Sequence, residues 1–221
     1  MTQHLNLPRN EMICLRGVAI RGYDFQRIPQ PRLFNNILLN GYFHLIESRS
    51  KSENFPSVKA FDCLFFPVLF SQGYEKALEK WPRHINLFEY EILLIPIHIP
   101  GVSCDHWALI VVFTKLGIVE YFDSVYGEDM PRLETVVNFL HKESGFLGVV
   151  SSTVWLVRSA SSLPRQKGSN NCGAFVCLFA EHVSRNAHPR FSQEDMLDLR
   201  YNIGLDLLEG KLAHSVCDMM N

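Results

Sequence analysis

Three short apolar segments in the middle of the chain constrain its fold more than any other feature. They are rich in isoleucine, leucine and valine, and they run from Glu91 to Ile99, from Trp107 to Phe113 and from Gly117 to Phe122. Runs of four to eight apolar residues without strict alternation are typical of strands that are covered on both faces. The segments therefore predict a central sheet that is buried within the protein.

Helical patterns occur on both sides of this region. Before it, apolar residues recur at helical spacing from Asn35 to about Arg49, and either Asn35 or Asn36 could cap this helix. A second helix is predicted from Tyr74 to Trp81, and it should end before Pro82 because proline disfavours a helical residue in front of it.

After the three strands, Pro131 is placed to open a further helix, since proline fits the first helical turn. A short strand is predicted from Val154 to Val157 and a last helix from Ser192 to Leu208. A helix is also predicted after Cys172, with five apolar residues on one face: Phe175, Val176, Phe179, Ala180 and Val183. The pattern indicates an α+β fold, and we expect residues 1–221 to form one domain.

Composition excludes several classes of function. The net charge of −2 gives no indication of nucleic acid or an anionic membrane as the main partner. No apolar run approaches the roughly 18 residues needed to cross a bilayer. The six cysteines form no CxxC pair, and the first residues lack a secretory pattern. We therefore expect a soluble intracellular protein with free thiols.

Cys172 is the candidate nucleophile. It follows a polar loop and precedes a predicted helix, whose N-terminus favours the thiolate form of a cysteine. Asn170 and Asn171 are suitable residues for a helix start, and Gly173 would leave room for a substrate. The alternative is a small buried cysteine that only packs at the start of the helix.

His106 is the candidate base because it starts a predicted strand beside a polar loop. An accessible imidazole could take the thiol proton and later donate it to a leaving amine. The alternative is an ordinary surface histidine.

Asp123 ends the strand that follows the one begun by His106. If these strands form a hairpin, the end of the second returns beside the start of the first. The carboxylate would then fix the tautomer of the imidazole and stabilise its positive charge. The alternative is a turn aspartate that precedes Ser124 and Gly127.

Gln166 precedes Cys172 by six residues, and a loop of this length can bring its amide beside the nucleophile. The amide N–H and the backbone N–H of Cys172 would then both donate to an oxyanion. The alternative is an ordinary loop glutamine.

A metal site is the competing interpretation of the histidine and cysteine residues near the second strand. His98, Cys104 and His106 are close in sequence, and Asp105 could add a ligand. The spacing lacks the paired ligands of a structural zinc site, so we expect no metal. Cys177 follows the apolar pattern of its helix and is expected to pack.

Taken together, these motifs resemble the Ulp/SENP family of sentrin (SUMO)-specific proteases. The resemblance rests on the order and spacing of His106-Trp107, of Tyr121-Phe122-Asp123-Ser124, and of Gln166 six residues before Cys172-Gly173. It extends from about Leu15 to about Leu212. Three further segments look like family segments: Pro56 to Phe61, Ile92 to His98 and Phe191 to Met196.

The resemblance implies a papain-like cysteine protease fold with a catalytic triad of Cys172, His106 and Asp123, an oxyanion glutamine at Gln166 and no cofactor. It also implies a narrow tunnel for the Gly-Gly tail of the modifier, with Trp107 as one wall. The expected substrates and partners are SUMO precursors and SUMO joined to lysine in other proteins. We expect a monomer located in the nucleus, the cytoplasm or both.

Two segments depart from the family pattern. Leu33-Phe34-Asn35-Asn36 stands where the family usually has Trp-Leu-Asn-Asp. Leu33 would replace a tryptophan that forms the opposite tunnel wall, and Asn36 would replace an aspartate that contacts the modifier. The loop before Cys172 reads Gly168-Ser169-Asn170-Asn171 instead of Asn-Gly-x-Asp, so it lacks an acidic residue.

Two alternative functions stay open. One is a different enzyme on the same scaffold, either a protease for another ubiquitin-like modifier or an acyltransferase. The other is a weakly active or inactive copy that binds SUMO without cutting it.

Overall fold

The computed structural model describes residues 5, 7–15, 17–29, 32–51, 54–81, 85–101, 104–148, 154–168 and 170–212. Its seven strands and seven α-helices, together with a 3₁₀ turn at Leu87–Glu89, follow one another along the described chain. In order they are β1 (Met12–Leu15), β2 (Val18–Arg21), α1 (Gly22–Phe25), α2 (Asn36–Arg49), β3 (Val58–Ala60), α3 (Phe65–Gln72), α4 (Tyr74–Lys80), β4 (Ile92–Ile99), β5 (His106–Phe113), β6 (Ile118–Phe122), α5 (Met130–Phe146), β7 (Leu156–Ser159), α6 (Cys172–Val183) and α7 (Met196–Glu209).

A five-stranded mixed sheet lies at the centre, in the order β3-β4-β5-β6-β7. The three middle strands are antiparallel neighbours, whereas β3 and β7 pair in parallel at the two edges. The three strands predicted from the apolar segments are confirmed to within one residue at each end. β1 and β2 form a separate antiparallel pair.

Both faces of the central sheet are buried. Along β5, alternate side chains enter opposite clusters because successive residues of a strand point to opposite faces. Trp107, Leu109 and Val111 join the cluster that includes α2, α6 and α7, and Ala108 and Ile110 join the cluster that includes α3, α4 and α5. The helices on both faces make the fold α+β, as predicted.

α6 crosses the first of these clusters and packs against β5, α2 and α7. Every residue of α6 is buried, so its apolar contacts extend around the whole helix and are not limited to the single face predicted from the sequence. A helix enclosed in this way has few alternative positions, because packing fixes it on all sides. Its first residue, Cys172, is therefore held firmly in the fold.

Two predicted boundaries are wrong by a few residues. β7 starts at Leu156, two residues later than predicted. α7 starts at Met196 and not at Ser192, because the backbone N–H and hydroxyl of Ser192 donate to the carboxylate of Asp195 at 2.9 and 2.7 Å. These bonds form a turn that precedes the helix.

Other boundaries agree with the sequence. The side chain of Asn35 accepts a hydrogen bond from the backbone N–H of Leu38, which makes Asn35 and not Asn36 the cap of α2. Pro131 lies in the first turn of α5. α4 ends at Lys80, and Pro82, which was predicted to stop it, lies outside the described residues. Within the described ranges, no helix is long and apolar enough to span a membrane.

Candidate active site

Cys172 is the first residue of α6, and its side chain is fully buried. The loop that leads to it ends at Asn171, which occupies the cap position. The free backbone N–H groups at a helix N-terminus carry partial positive charge, which stabilises an anion there. The fold therefore presents the sulfur at the end of α6 where a thiolate is stabilised.

His106 lies at the first position of β5 and meets Asp123, which follows the last residue of β6. The predicted hairpin is confirmed, and its register aligns Leu109 with Phe122. Nε2 of His106 lies 2.9 and 3.0 Å from the two carboxylate oxygens of Asp123. Because Asp123 occupies Nε2, the other ring nitrogen, Nδ1, is the one available to the sulfur of Cys172.

The charges of Asp123 and Cys172 alter the protonation of His106. Burial alone would lower the pKa of His106, but hydrogen bonds to Asp123 and Cys172 and their negative charges raise it to about 9. The imidazole is therefore mostly protonated at neutral pH when its two partners carry negative charge. An imidazolium between a thiolate and a carboxylate is the ion pair that a cysteine nucleophile needs.

The carboxylate of Asp123 is held by several donors besides His106. The hydroxyl of Tyr121 donates to one oxygen at 2.9 Å, and the backbone N–H groups of Val125 and Tyr126 donate to the other at 2.7 and 3.0 Å. Burial raises the pKa of Asp123, but the bonds from His106 and the backbone outweigh this effect and lower it overall. Asp123 is thus ionised and fixed in position.

Two hydrogen bonds to Ser124 hold Gln166 near the end of β6. Its backbone N–H donates to the carbonyl of Ser124 at 3.1 Å, and the hydroxyl of Ser124 donates to the side-chain oxygen of Gln166 at 2.9 Å. One hydrogen of the Gln166 amide is donated to the carbonyl of Gly168 at 2.7 Å. The second amide hydrogen is left for another acceptor, since a primary amide has two.

Trp107 and Leu33 are joined through the segment that precedes α2. The indole N–H of Trp107 donates to the carbonyl of Phe34 at 3.0 Å, and only 6% of Trp107 is exposed. Leu33 is half-buried, and its carbonyl accepts a hydrogen bond from Arg27 at 3.1 Å. Trp107 and Leu33, the two expected tunnel walls, are therefore linked, because the hydrogen bond from Trp107 reaches the residue next to Leu33.

Gly173 and Asn36 each lie in the first turn of a helix. Asn36 is the half-buried first residue of α2. A Cβ atom at Gly173 would lie 2.7 Å from Cβ of Phe34 and 3.3 Å from a methyl group of Leu39, so glycine is required for close packing of α6 on α2. The contacts with substrate predicted for both residues stay predictions.

The residues considered for a metal have other partners. His98 bonds to Asp105 through Nε2 at 3.1 Å, the sulfur of Cys104 lies 3.1 Å from the carbonyl of Asp105, and His106 bonds to Asp123. In the described part of the chain, no group of three or more histidine, cysteine or acidic residues could hold a metal ion. Cys177 is completely buried, and burial raises the pKa of its thiol, as suits a packing role.

Sequence reasoning assigned no role to four residues that support this site. Tyr121 and Ser124 belong to a segment that it selected as a motif, and period-two alternation places Tyr121 on the same face as Asp123. The ring of Tyr126 contacts His106 edge-on with centroids 5.4 Å apart, and Arg165 donates to the carbonyls of Asp123 and Tyr126. Nothing in the local sequence signals these last contacts.

Comparisons with known proteins agree with this geometry. A family model described as the Ulp1 protease family, C-terminal catalytic domain, matches residues 34–212. A sentrin-specific protease of Caenorhabditis elegans is 26% identical over 212 residues, which are 95% of this chain and 30% of that protein. Human sentrin-specific protease 2 is 29% identical over 193 residues, 86% of this chain and 32% of that protein. The chain spans about a third of the length of these relatives.

Solved structures show the same fold. The C-terminal Ulp1 protease domain in complex with Smt3, the yeast ortholog of SUMO, has a TM-score of 0.77 at 20% identity, covering 93% of this chain and 90% of that chain. The Ulp1-like SUMO protease catalytic domain of Chaetomium thermophilum also has a TM-score of 0.77, at 19% identity, covering 97% of this chain and 89% of that chain.

Proposed function

Because the chain belongs to the Ulp1 protease family, we propose that it is a cysteine protease that cleaves SUMO after its C-terminal Gly-Gly. The substrates are SUMO precursors, which it matures, and proteins that carry SUMO on a lysine, from which it removes the modifier. The family match spans every residue proposed for catalysis, and similar proteins are named as sentrin-specific proteases.

The observation that carries this proposal is the arrangement of Cys172, His106 and Asp123. A buried sulfur at the start of α6 lies within hydrogen-bonding contact of an imidazole whose other nitrogen is 2.9 Å from a buried carboxylate. In the proposed reaction, the thiolate of Cys172 attacks the carbonyl carbon of the last glycine of SUMO. The carbonyl oxygen becomes a negatively charged oxyanion, and a C–S bond forms.

Gln166 is proposed to stabilise that oxyanion with the backbone N–H of Cys172. The support for this role is the hydroxyl of Ser124, which holds the amide oxygen of Gln166 and so fixes which end of the amide carries the donors. A preoriented donor stabilises the developing charge without a reorganisation cost at the moment of reaction.

His106 is proposed to protonate the leaving amine as the bond to lysine breaks, which leaves SUMO attached to Cys172 as a thioester. Neutral His106 then takes a proton from water, the resulting hydroxide attacks the thioester, and the thiolate is released with the proton on the imidazole. A pKa of about 9 for His106 suits this cycle, because the resting imidazole holds the proton that the leaving amine requires. No cofactor takes part.

Trp107, Leu33, Asn36 and Gly173 are proposed to guide the Gly-Gly tail to Cys172. A glycine tail has no side chains, so a site can select it only by backbone contacts and by a narrow shape. Leu33 offers a smaller wall than the tryptophan that is usual in the family, and we propose that it holds the tail less tightly. Small displacements of a scissile carbonyl reduce the rate of attack.

We further propose that residues 1–221 act as one domain and as a monomer, inside the cell in the nucleus, the cytoplasm or both. SUMO and SUMO-conjugated proteins are the proposed partners.

The direct test is turnover of SUMO that carries a fluorogenic amide at its C-terminus, beside the same amide on ubiquitin and on other ubiquitin-like modifiers. Cys172→Ala is the matched control for each substrate. The proposal requires turnover of the SUMO substrate that is lost in Cys172→Ala. Turnover of only another modifier would replace the proposed substrate, and binding of SUMO without turnover would replace the proposed activity.

A further inference from the structure

Arg200 is a buried arginine of α7 that reaches the start of α6. Only 4% of Arg200 is exposed, although arginine is almost never fully buried unless it is paired. Moving a guanidinium out of water costs several kcal/mol of hydration free energy, so its polar contacts must hold it in one position. Those contacts join two segments that the proposed mechanism uses.

The first segment is the loop that leads to Cys172. Nη1 of Arg200 donates to the backbone carbonyl of Asn170 at 3.3 Å and to the side-chain oxygen of Asn171 at 3.1 Å. Asn171 is the cap residue of α6 and directly precedes the nucleophile. A guanidinium presents its N–H groups in a rigid plane, so these two bonds fix the loop in direction as well as in distance.

The second segment comprises residues 27–29 and 32–34, and it carries Leu33. Nε of Arg200 donates to the carbonyl of Ile28 at 3.0 Å, and Nη2 donates to the carbonyls of Arg32 at 2.9 Å and of Arg27. The guanidinium also lies over the ring of Phe34, 4.4 Å from its centroid. One side chain therefore joins the segment that bears Leu33 to the loop that leads to Cys172.

Arg200 also interacts electrostatically with the nucleophile. Burial lowers the pKa of Arg200 to about 10, while negative charge on Cys172 acts in the opposite direction. The guanidinium thus stays protonated at neutral pH. Since an attraction between two charges stabilises both of them, the positive charge of Arg200 also favours a thiolate at Cys172.

We infer that Arg200 is a positioning residue of the active site, which holds the loop that leads to Cys172 against the segment bearing Leu33 and sets a positive charge near the nucleophile. The inference rests on the proposed function in one respect, because it takes Leu33 to be a wall of the tunnel for the substrate tail. Its electrostatic part concerns Cys172 alone and can be tested without SUMO.

Arg49, the last residue of α2, provides a matched control because it bonds to the opposite end of α6 from Cys172. It is also largely buried, and it bonds to the carboxylate of Glu181 at 2.6 Å and to the hydroxyl of Ser184 at 2.7 Å. Glu181 lies nine residues beyond Cys172 along α6, roughly 13 Å away at 1.5 Å per residue. Arg49→Met should therefore destabilise the protein as Arg200→Met does, without changing the surroundings of the nucleophile.

The experiment compares Arg200→Met, Arg200→Lys and Arg49→Met by melting temperature, by kcat and KM on the fluorogenic SUMO substrate, and by alkylation of Cys172. The rate of alkylation by iodoacetamide is followed from pH 5 to 10 by mass spectrometry of the peptide that contains Cys172. In Arg200→Met, we expect alkylation of Cys172 to require a higher pH, because a positive charge that favours the thiolate is lost. We also expect kcat/KM to fall by about tenfold or more.

Arg200→Lys keeps the charge but loses the planar set of donors. We expect its alkylation midpoint to stay close to that of the wild type while kcat/KM still falls. Arg49→Met should lower the melting temperature, because it acts only through stability. Its kcat/KM and its rate of Cys172 alkylation should stay within about twofold of the wild-type values. If Arg200→Met matches Arg49→Met in kinetics and alkylation, the inference is overturned.

Asn171→Asp covers the case in which Arg200→Met does not fold. The variant leaves Arg200 in place but replaces the amide that accepts its hydrogen bond with a carboxylate. The new negative charge offsets the charge of Arg200 and lies next to Cys172. The alkylation midpoint should then rise in a protein that still melts cooperatively, and an unchanged midpoint would overturn the inference. A wild-type protein that never cleaves SUMO but shows these shifts would contradict the proposed function and leave the role of Arg200 intact.

Discussion

Replacing Asp123 with asparagine keeps the shape of the side chain and removes one negative charge from the active site. One carboxylate oxygen accepts from the backbone N–H groups of Val125 and Tyr126, so the amide oxygen of the variant should take that position. The amide NH2 group then faces Nε2 of His106 and the hydroxyl of Tyr121. A hydroxyl can rotate to accept a hydrogen bond, but a protonated Nε2 cannot accept one.

The retained amide oxygen still lies 2.9 Å from Nε2, but the adjacent NH2 group favours the tautomer that carries its proton on Nδ1, the nitrogen that faces Cys172. In that tautomer it can no longer take the thiol proton. Loss of an opposite charge in contact with His106 also lowers its pKa by about 1–3 units. The side chain of His106 is only 12% exposed, so solvent screens this effect little. From a starting value of about 9, this shift leaves the pKa of His106 at roughly 6–8. The protonated fraction at pH 7 then falls to between about nine-tenths and one-tenth, so from this cause alone we expect kcat/KM to fall by up to about tenfold.

The sign of the pH dependence follows from the raised pKa of His106. Its interactions favour the protonated form, so they stabilise the fold fully below the unfolded pKa of about 6.5. This contribution is lost as the pH rises through about 9. Wild-type activity should accordingly decline above about pH 9, and the decline should begin at lower pH in Asp123→Asn.

The assay is the profile of kcat/KM from pH 5 to 10 on the fluorogenic SUMO substrate, with melting temperatures measured in the same buffers. Glu181→Gln is the matched control, since it also neutralises a buried carboxylate that is bonded to arginines, at the other end of α6. The control should lose stability and keep the alkaline limb of the wild type. Equal profiles and equal rates for wild type and Asp123→Asn would refute the role assigned to Asp123.

Three further substitutions test individual contacts. Ser124→Ala frees the amide of Gln166 to rotate, so kcat should fall by about tenfold or more with little change in KM; an unchanged kcat would remove Gln166 from the mechanism. Gly173→Ala places a methyl group 2.7 Å from Cβ of Phe34 and should lower the free energy of unfolding in urea by about 1–3 kcal/mol. A urea unfolding midpoint equal to that of the wild type would contradict this expectation. Leu33→Trp should raise kcat/KM by restoring a flat tunnel wall; a lower melting temperature without faster turnover would show that Leu33 only packs.

The part of the site that could be predicted from the sequence is the part created by local pattern. Apolar runs define β4, β5 and β6, and once β5 and β6 form a hairpin, the end of one strand must lie beside the start of the other. The distance of 2.9 Å between Nε2 of His106 and a carboxylate oxygen of Asp123 follows from that geometry. A polar loop before an apolar helical stretch likewise places Cys172 at a helix start. Their roles in catalysis stay proposals until the variants are measured.

The rest depends on contacts between residues that are far apart in sequence. Arg200 reaches the loop before Cys172 from about thirty residues further along the chain, and no local pattern marks a buried arginine. The sequence predicts that Gly173 leaves room for a substrate, but it gives no sign that Phe34, in the segment before α2, also requires a residue without a side chain there. α3 and the β1–β2 pair were not predicted either, because short elements carry too little periodicity to be distinguished from loops.

Attack by Cys172 on the carbonyl of the last glycine of SUMO is the central step of the proposed reaction. The most direct measurement uses SUMO whose C-terminal glycine is replaced by an electrophile that reacts irreversibly with thiols, followed by peptide mass spectrometry. We predict one SUMO adduct per protein, on Cys172, with no adduct in Cys172→Ala and a much slower reaction in a His106→Gln variant. Failure of the wild type to react, or an adduct on another cysteine such as Cys104, would contradict the account.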